Sequence, residues 1–127
     1  MDDRIEHALA TERTIDITTT GRKTGQPRRI EIWFHNLDGA IYITGRPGRQ
    51  RHWYANMVAN PDFTFHLKQS VQADIPATAT PIEGEADRRA VLSRILKKID
   101  VEPGELDEWV QNSPLVEVTL RPAGGGG

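Results

Sequence analysis

The chain lacks cysteine, and this absence removes several kinds of chemistry. None of its 127 residues is Cys, which excludes disulfide bonds, thiolate catalysis and cysteine-based zinc sites. The four histidines form no His-Glu-x-x-His sequence and no close pair, so we predict no metal site. A chain of this length can bury a single core without metal or disulfide staples.

Long apolar runs are also missing from the sequence. No segment approaches the roughly 20 apolar residues of a membrane-spanning helix. The first four residues are acidic on balance and have none of the apolar character of a signal peptide. We therefore expect a cytoplasmic protein without an integral membrane segment, with peripheral attachment to a membrane as a second option.

The whole chain carries little net charge, but its charge is unevenly distributed. The formal total is −2, whereas residues 21–51 contain seven Arg and Lys side chains against two acidic ones, a local charge of +5. A local positive field attracts an anionic partner even when the chain as a whole is acidic. This stretch is therefore the first place to look for a binding site.

Hydrophobic periodicity predicts an α+β fold of five or six mostly antiparallel strands with flanking helices. The predicted strands cover residues 13–20, 29–35, 40–44, 63–68, 71–80 and 115–120. The predicted helices cover residues 2–10, 50–59, 85–100 and 102–112. Closing short strands into a small barrel would remove exposed edges, which favours a barrel over an open sheet. Residues 1–122 are predicted to form one domain, followed by a flexible glycine-rich tail at 123–127.

Three finer predictions concern individual side chains. Pro76 has no backbone N–H, so its strand is predicted to lie at an edge or to contain a bulge. His35 and His66 fall on the polar side of their strands and are predicted to lie at the surface. The helix at 85–100 has one apolar stripe, interpreted as core, formed by Val91, Leu92, Ile95, Leu96 and Ile99. Its cations are predicted to form a solvated face, namely Arg88, Arg89, Lys97 and Lys98.

The first functional motif is the stretch Thr18-Thr19-Thr20-Gly21-Arg22-Lys23-Thr24-Gly25-Gln26-Pro27-Arg28. Three β-branched residues run into a turn bracketed by two glycines, where the backbone can converge on an anion. Guanidinium groups add forked donors that match phosphate or carboxylate oxygens. A solvated basic hairpin tip is the plainer interpretation of this stretch taken alone.

The second motif, His52-Trp53-Tyr54-Ala55-Asn56-Met57-Val58-Ala59-Asn60-Pro61, follows a loop rich in arginine and glycine. On a helix, its Trp-Tyr pair places aromatic surface beside those cations. The two aromatic side chains are either core packing residues or the border of a site for a flat ligand. In a site, Asn56 would hydrogen-bond the polar edge of that ligand.

Taken together, the two motifs and the loop Thr44–Arg51 between them resemble the deazaflavin-dependent nitroreductase family. The stretch from Thr18 to Arg28 and the pattern Trp-Tyr-x-Asn-x-x-Ala-Asn-Pro from Trp53 to Pro61 carry this resemblance. Members of the family are split β-barrel oxidoreductases, of the FMN-binding split-barrel type, that use coenzyme F420. The resemblance implies the same fold and cofactor here, with hydride transfer supplied by the cofactor.

The resemblance also implies roles for individual residues. Arg22, Lys23 and Thr24 correspond to the positions that hold the coenzyme's phosphate and polyglutamate tail. Arg28 and the residues up to Trp33 lie along the strand that meets the coenzyme. The backbone of Thr44, Gly45 and Arg46 corresponds to the segment facing the deazaflavin ring. The helix start that covers the coenzyme corresponds to His52, Trp53, Tyr54 and Asn56. We consider Tyr54 and His52 as candidate catalytic proton donors.

These features predict a reductase that passes a hydride from reduced F420 to a small, hydrophobic, electron-poor acceptor such as a quinone, an enone or a nitro compound. The loop 45–51 is shorter and more basic than the family's, and no tyrosine follows Tyr54. These departures motivate an alternative, a related barrel that binds a fatty acid, FMN or haem without deazaflavin-dependent activity. A nucleic-acid-binding barrel is a third class, which the acidic total disfavours. A homodimer is expected by analogy with barrels of this size.

Overall fold

The computed structural model describes residues 2–48 and 51–121, so the predicted tail at 123–127 lies outside the described residues. The strands are β1 Thr14–Thr20, β2 Pro27–Trp33, β3 His35–Leu37, β4 Ala40–Thr44, β5 Asp62–Leu67, β6 Ala73–Pro81 and β7 Leu115–Leu120. The α-helices are α1 Asp3–Thr11, α2 His52–Ala59, α3 Glu85–Lys98 and α4 Leu106–Asn112. A short 3₁₀ turn at Pro103–Glu105 precedes α4. Within the described residues, no helix is long and apolar enough to cross a membrane.

The seven strands form one antiparallel sheet in the order β2-β1-β5-β6-β7-β4-β3. The two edge strands, β2 and β3, are separated in the chain by Phe34 alone. Because one residue links the two edges, the sheet has to curl until they meet at Phe34. This curl confirms the predicted α+β split barrel, with seven strands where five or six were expected, because the segment 29–35 divides at Phe34.

The main core lies on one face of the curled sheet and includes residues of α1 and α2. Alternate side chains of β1, Ile15 and Ile17, are fully buried there, and Thr19 continues the same buried face. Phe34 and Phe65 meet edge to face in this core, with ring centroids 5.3 Å apart. The period-two pattern of the strands therefore reports their buried face correctly.

A second core lies between the opposite face of β3, β4 and β7 and the helices α3 and α4. Its buried residues are Leu37, Leu92, Ile95, Leu96, Trp109, Val110 and Leu115. The predicted stripe of α3 supplies three of them, and Val91 and Ile99 pack at the border. The interpretation of that stripe as core is confirmed.

The prediction for Pro76 was wrong, because β6 is an interior strand between β5 and β7. The carbonyl of Pro76 accepts a hydrogen bond from the N–H of Arg121, directly after the end of β7. Its nitrogen points to the same side, beyond the last residue of β7, so proline omits only the reciprocal bond to Arg121 after the β6–β7 ladder has ended. An interior strand tolerates proline at a place where its neighbour stops.

The surface prediction was wrong for both strand histidines. His66 lies on the outer face but is only 6% exposed. Its Nε2 is 2.7 Å from Thr18 Oγ1 and its Nδ1 is 2.7 Å from Asp74 Oδ1, on the two neighbouring strands. His35 is 3% exposed, beside the second core. Alternation places a side chain on a face, but neighbouring elements decide whether that face is covered.

The solvated-face prediction was wrong for Arg88. Its guanidinium donates hydrogen bonds to the carbonyls of Ile82, Trp109, Val110 and Ser113. Three of these acceptors lie in or directly after the last turn of α4. The carbonyl of Trp109 also accepts from the N–H of the capping residue Ser113, whereas the carbonyls that follow it come after the last residue able to continue the helix ladder. Arg88 therefore joins α3 to the end of α4, and we call this group of residues the α3–α4 anchor.

Candidate cofactor site

The glycine-bracketed turn between β1 and β2 has a fixed backbone. Gly21 N–H donates to the carbonyl of Gln26 and Gly25 N–H donates to that of Gly21, each at 2.8 Å. A Cβ on Gly21 would lie 2.7 Å from Thr24 Oγ1, and Gly25 has a φ of +72°. Both positions therefore favour glycine, and the turn holds Arg22, Lys23 and Thr24 at the end of the hairpin.

A pocket of about 490 Å³ opens beside this turn. It lies between the turn, the start of β2 and the first turns of α2. We call it the cationic pocket, and its lining residues are Thr19, Gly21, Arg22, Lys23, Thr24, Arg28, Ile30, His52, Trp53 and Asn56. Seven of the predicted site residues meet here, and none of these lining residues is acidic.

Asn56 connects the turn to the body of the protein. Its Oδ1 accepts hydrogen bonds from the backbone N–H and the Nη1 of Arg22, each at 3.1 Å. Its Nδ2 donates to Thr19 Oγ1 at 3.1 Å. Asn56 and Thr19 are 3% and 2% exposed, so the amide is buried. His52 Nδ1 lies 3.5 Å from Arg22 Nη2, on the outer side.

A second and smaller pocket, of about 210 Å³, lies further along β2. Ile30 lines the cationic pocket, and Trp33 lines the smaller one. The two residues are three positions apart on β2, which corresponds to about 10 Å at the rise of a strand. We call it the indole pocket, after Trp33 and Trp109. Its lining residues are Trp33, His35, Thr44, Gly45, Arg46, Ile99, Val101 and Trp109.

Two hydrogen bonds hold the loop side of the indole pocket. Thr44 Oγ1 donates to the carbonyl of Pro114 at 2.5 Å, and Arg51 Nη2 donates to the carbonyl of Arg46 at 3.1 Å. Burial lowers the pKa of His35 to about 4, with smaller contributions from the nearby positive charges of Lys98 and Arg13. The imidazole is therefore neutral near pH 7, and Arg46 is the cation among the described lining residues.

The family model of the F420H(2)-dependent quinone reductases matches residues 2–121. The chain belongs to this family. It is therefore an F420H2-dependent oxidoreductase whose cofactor is coenzyme F420, as the two sequence motifs indicated. Its membership also confirms the resemblance to the deazaflavin-dependent nitroreductases.

Solved structures support the fold of this F420H2-dependent reductase. An F420H2-dependent reductase is 24% identical, with a TM-score of 0.58, covering 85% of this chain and 95% of its own. A Listeria innocua protein described as a pyridoxamine 5′-phosphate oxidase is 15% identical, with a TM-score of 0.68 and coverages of 94% and 92%. A chain described as a domain-swapped dimer is 23% identical, with a TM-score of 0.59 and coverages of 85% and 81%. At these identities the likeness concerns the split-barrel fold.

The cationic pocket fits the chemistry of the reductase's cofactor. The phosphate and polyglutamate tail of F420 are anionic, and Arg22, Lys23 and Arg28 supply positive charge around the pocket. Trp53 and Ile30 add apolar wall. The volume of about 490 Å³ falls within the usual range for small-molecule sites.

The remaining predicted residues of the reductase do not share this pocket. Trp33, Thr44, Gly45 and Arg46 line the indole pocket. Tyr54 lines a separate cleft beside Gln111 and Pro114, although its ring packs against that of Trp53 with centroids 6.0 Å apart. The sequence therefore predicted a single group of residues, which the fold divides among three cavities.

Sequence reasoning missed several residues that line the two pockets. Thr19 belongs to a predicted strand, and a period-two pattern does not show which strand end borders a cavity. Ile30 lies in the segment from Arg28 to Trp33 that was expected to meet the coenzyme. Trp109 comes from α4, far along the chain, and supplies an aromatic side chain in the region where no tyrosine occurs. Its apolar character was the available signal, but core packing explains a buried tryptophan equally well.

Proposed function

We propose that the protein transfers a hydride from F420H2 to a small, electron-poor organic acceptor, a quinone, an enone or a nitro compound. In this proposal the anionic end of the cofactor occupies the cationic pocket, and the acceptor occupies the indole pocket. The observation that carries it is the convergence of Arg22, Lys23 and Arg28 with Trp53 and Asn56 on one pocket.

At the cofactor end, the protein's work is binding and orientation. Arg22 and Arg28 carry planar guanidinium groups that pair bidentately with phosphate or carboxylate oxygens, and Lys23 adds a compact charge. The hydroxyl of Thr24 is held within the turn, where it accepts a hydrogen bond from the N–H of Gln26 at 3.2 Å. Bound F420H2 supplies the hydride, so the protein needs neither a nucleophile nor a pair of catalytic carboxylates.

At the acceptor end, the indole pocket suits a flat and mainly apolar molecule. Two indoles, Ile99 and Val101 form its apolar walls, and neutral His35 adds no charge. Arg46 would stabilise negative charge that develops on an acceptor oxygen during reduction. The volume of about 210 Å³ restricts the pocket to molecules smaller than a typical drug-sized ligand.

The two predicted proton donors differ in their position. His52 lies at the cationic pocket, next to Arg22, whereas Tyr54 lies in the separate cleft. We therefore propose that His52 assists Arg22 in binding the anionic part of the cofactor, and assign Tyr54 to packing against Trp53. A His52→Gln variant should raise the KM of F420H2 and leave the reduction rate at saturating substrate nearly unchanged.

We also propose a homodimer, supported by the dimeric relative and by the exposed edge of the sheet. Among the strands of residues 2–48 and 51–121, β2 pairs with β1 alone, and its side chains Ile30 and Trp33 are 38% and 48% exposed. An edge strand of this kind is a ready template for a second chain. Light scattering coupled to size-exclusion chromatography should give twice the chain mass of 14.2 kDa, and a monomer at micromolar concentration would contradict this proposal.

Acceptor-dependent oxidation of F420H2, followed by its absorbance, tests the proposed reaction. We expect turnover with at least one quinone, enone or nitro compound. Trp33→Ala should raise the KM of the acceptor about tenfold and leave that of F420H2 nearly unchanged, because Trp33 lines the indole pocket only. Val58→Ala, at an exposed apolar residue of α2, is the matched control. The proposal fails if no compound of the three classes oxidises F420H2 above the background rate.

A further inference from the structure

We infer that Asn56 is a positioning residue, which presents Arg22 to the anionic part of the cofactor and does not itself recognise the cofactor. The inference rests on the proposed function, because it concerns how the cationic pocket prepares for its ligand. It differs from the role predicted from the sequence, in which the amide bonds the polar edge of a flat ligand.

The acceptor side of the amide is already occupied by the protein. Oδ1 of Asn56 accepts from the backbone N–H of Arg22 and from its Nη1, each at 3.1 Å. A carbonyl oxygen has two lone pairs, so these two bonds use its capacity. A ligand group that donates a hydrogen bond would have to displace Arg22 to reach this oxygen.

One donor of the amide is fixed to the interior of the barrel. Nδ2 donates to Thr19 Oγ1 at 3.1 Å, and Thr19 lies on the buried face of β1. Asn56 is only 3% exposed although it lines the pocket. The side chain is therefore a short link from β1 through α2 to the turn, with the buried Thr19 at one end and the exposed Arg22 at the other.

This link acts on Arg22 at two points. The bond to the backbone N–H fixes the first cationic residue of the turn relative to α2, and the bond to Nη1 fixes the direction of the guanidinium. Arginine has many rotamers, and an anion that binds a free arginine has to bear the cost of ordering it. An arginine that is already ordered avoids this cost, which is the benefit of preorganisation.

If Asn56 acts through Arg22, removing its side chain should weaken the binding only of ligands that Arg22 contacts. Asn56→Ala should weaken F420 binding about tenfold. A deazaflavin riboside without the phosphate and polyglutamate tail should bind Asn56→Ala within about twofold of its wild-type affinity. Both dissociation constants are measured by isothermal titration calorimetry, because the riboside lacks the part of the cofactor proposed to lie beside Trp53.

A double-mutant cycle separates positioning from direct contact. If Asn56 acts through Arg22, the variant Arg22→Ala/Asn56→Ala should bind F420 within about threefold of Arg22→Ala alone. If Asn56 contacts the ligand directly, the losses of F420 affinity caused by the two single substitutions multiply in the double variant. That multiplication would overturn the inference, as would an Asn56→Ala variant with wild-type affinity for F420.

Asn36 provides the matched control for a lost asparagine. Its side chain also makes two hydrogen bonds, donating to the carbonyl of Leu9 at 3.0 Å and accepting from the N–H of Gly39 at 2.7 Å. It lies on β3, outside the cationic pocket. Asn36→Ala should therefore lower stability without changing F420 affinity. If Asn56→Ala does not fold, Asn56→Asp keeps the side-chain length and should still weaken F420, because its charge neutralises Arg22.

Hydrogen exchange of the ligand-free protein tests the inference independently of the proposed function. The amide of Arg22 is bonded to Asn56 Oδ1, so its exchange should become about tenfold faster in Asn56→Ala and stay unchanged in Asn36→Ala. Unchanged exchange in Asn56→Ala would overturn the positioning role. If exchange becomes faster but the wild type does not bind F420, the link is real and the proposed function fails.

Discussion

Two arginines in different parts of the molecule use the same guanidinium chemistry for opposite purposes. Arg88, in the α3–α4 anchor, donates to four backbone carbonyls. Arg22, at the cationic pocket, is held by one side-chain amide, and its other amino group lies 3.5 Å from His52 Nδ1. The first guanidinium is partly buried, and the second belongs to an exposed turn.

The difference comes from the acceptors that the fold provides. The carbonyls at the end of α4 lie beyond the regular helix ladder, and Arg88 supplies a donor to those of Val110 and Ser113. At the pocket, the positive charges of Arg22, Lys23 and Arg28 face no acidic lining residue among those described. An arginine surrounded by carbonyls stabilises the fold, whereas an arginine grouped with other cations is available to an anion.

The largest expected effect is the loss of the anchor. Arg88→Met should lower the free energy of unfolding by about 4 kcal/mol, because several charge-assisted hydrogen bonds are lost and carbonyls stay unpaired. Arg89→Met is the matched control, since the neighbouring Arg89 makes one exposed ion pair with Asp107 and should lose less than about 1 kcal/mol. Urea unfolding measures both. Equal losses in the two variants would show that Arg88 is not an anchor.

Acid should lower the free energy of unfolding through His35, which lies beside the second core. The unfolded chain binds a proton at His35 near pH 6.5, whereas the folded chain binds it only near pH 4. The stability due to neutral His35 is therefore complete above pH 6.5 and is lost as the pH falls to about 4. This difference corresponds to about 3 kcal/mol. The buried region keeps the charge of Arg88, which has acceptors, and excludes the charge of His35.

Unfolding measured at pH 7 and pH 4 checks this expectation. His35→Gln should lose about 3 kcal/mol less than the wild type over that range, whatever its stability at pH 7. His7→Gln, at an exposed histidine of α1, should follow the wild type. If His35→Gln shows the full acid sensitivity of the wild type, then His35 does not remain neutral in the fold.

The smallest expected effect is the change in the free energy of unfolding when a cation of the cationic pocket is removed. Lys23→Ala or Arg28→Ala should leave the free energy of unfolding unchanged or raise it by up to about 0.5 kcal/mol. Both side chains are exposed and lie among like charges, and sites for function commonly reduce stability. A loss above about 1 kcal/mol in urea unfolding would show that these cations stabilise the fold as Arg88 does.

Sequence patterns predicted the elements well, because helix and strand periods are local properties. The strand at 115–120 and the apolar stripe of α3 are found as expected. The closure of the sheet at Phe34 could not be predicted, since it depends on which strands become edges. The fate of Arg88 depended on α4, which packs beside it only after folding, and no local pattern distinguishes it from Arg89.

The residue types of the candidate site could be predicted from the sequence, but the division of these residues among three cavities could not. The turn motif and the Trp-Tyr-x-Asn pattern indicated the cofactor and brought Arg22 and Asn56 into one group. Which of these residues contacts the ligand and which only positions another is a matter of distances of about 3 Å between distant segments. Which predicted residues line the cationic pocket and which line the indole pocket likewise depends on the course of β2 past both pockets in the folded chain.

The most direct test of the central claim is a fluorescence titration of the wild type and of Arg22→Ala/Lys23→Ala with F420. Trp53 reports occupancy of the cationic pocket. The account predicts saturable quenching in the wild type at micromolar concentration or below. It predicts binding about 100-fold weaker in the double variant, as expected for the loss of two charge-assisted contacts. Equal affinity in the two proteins would contradict the assignment of the cationic pocket to the anionic end of the cofactor.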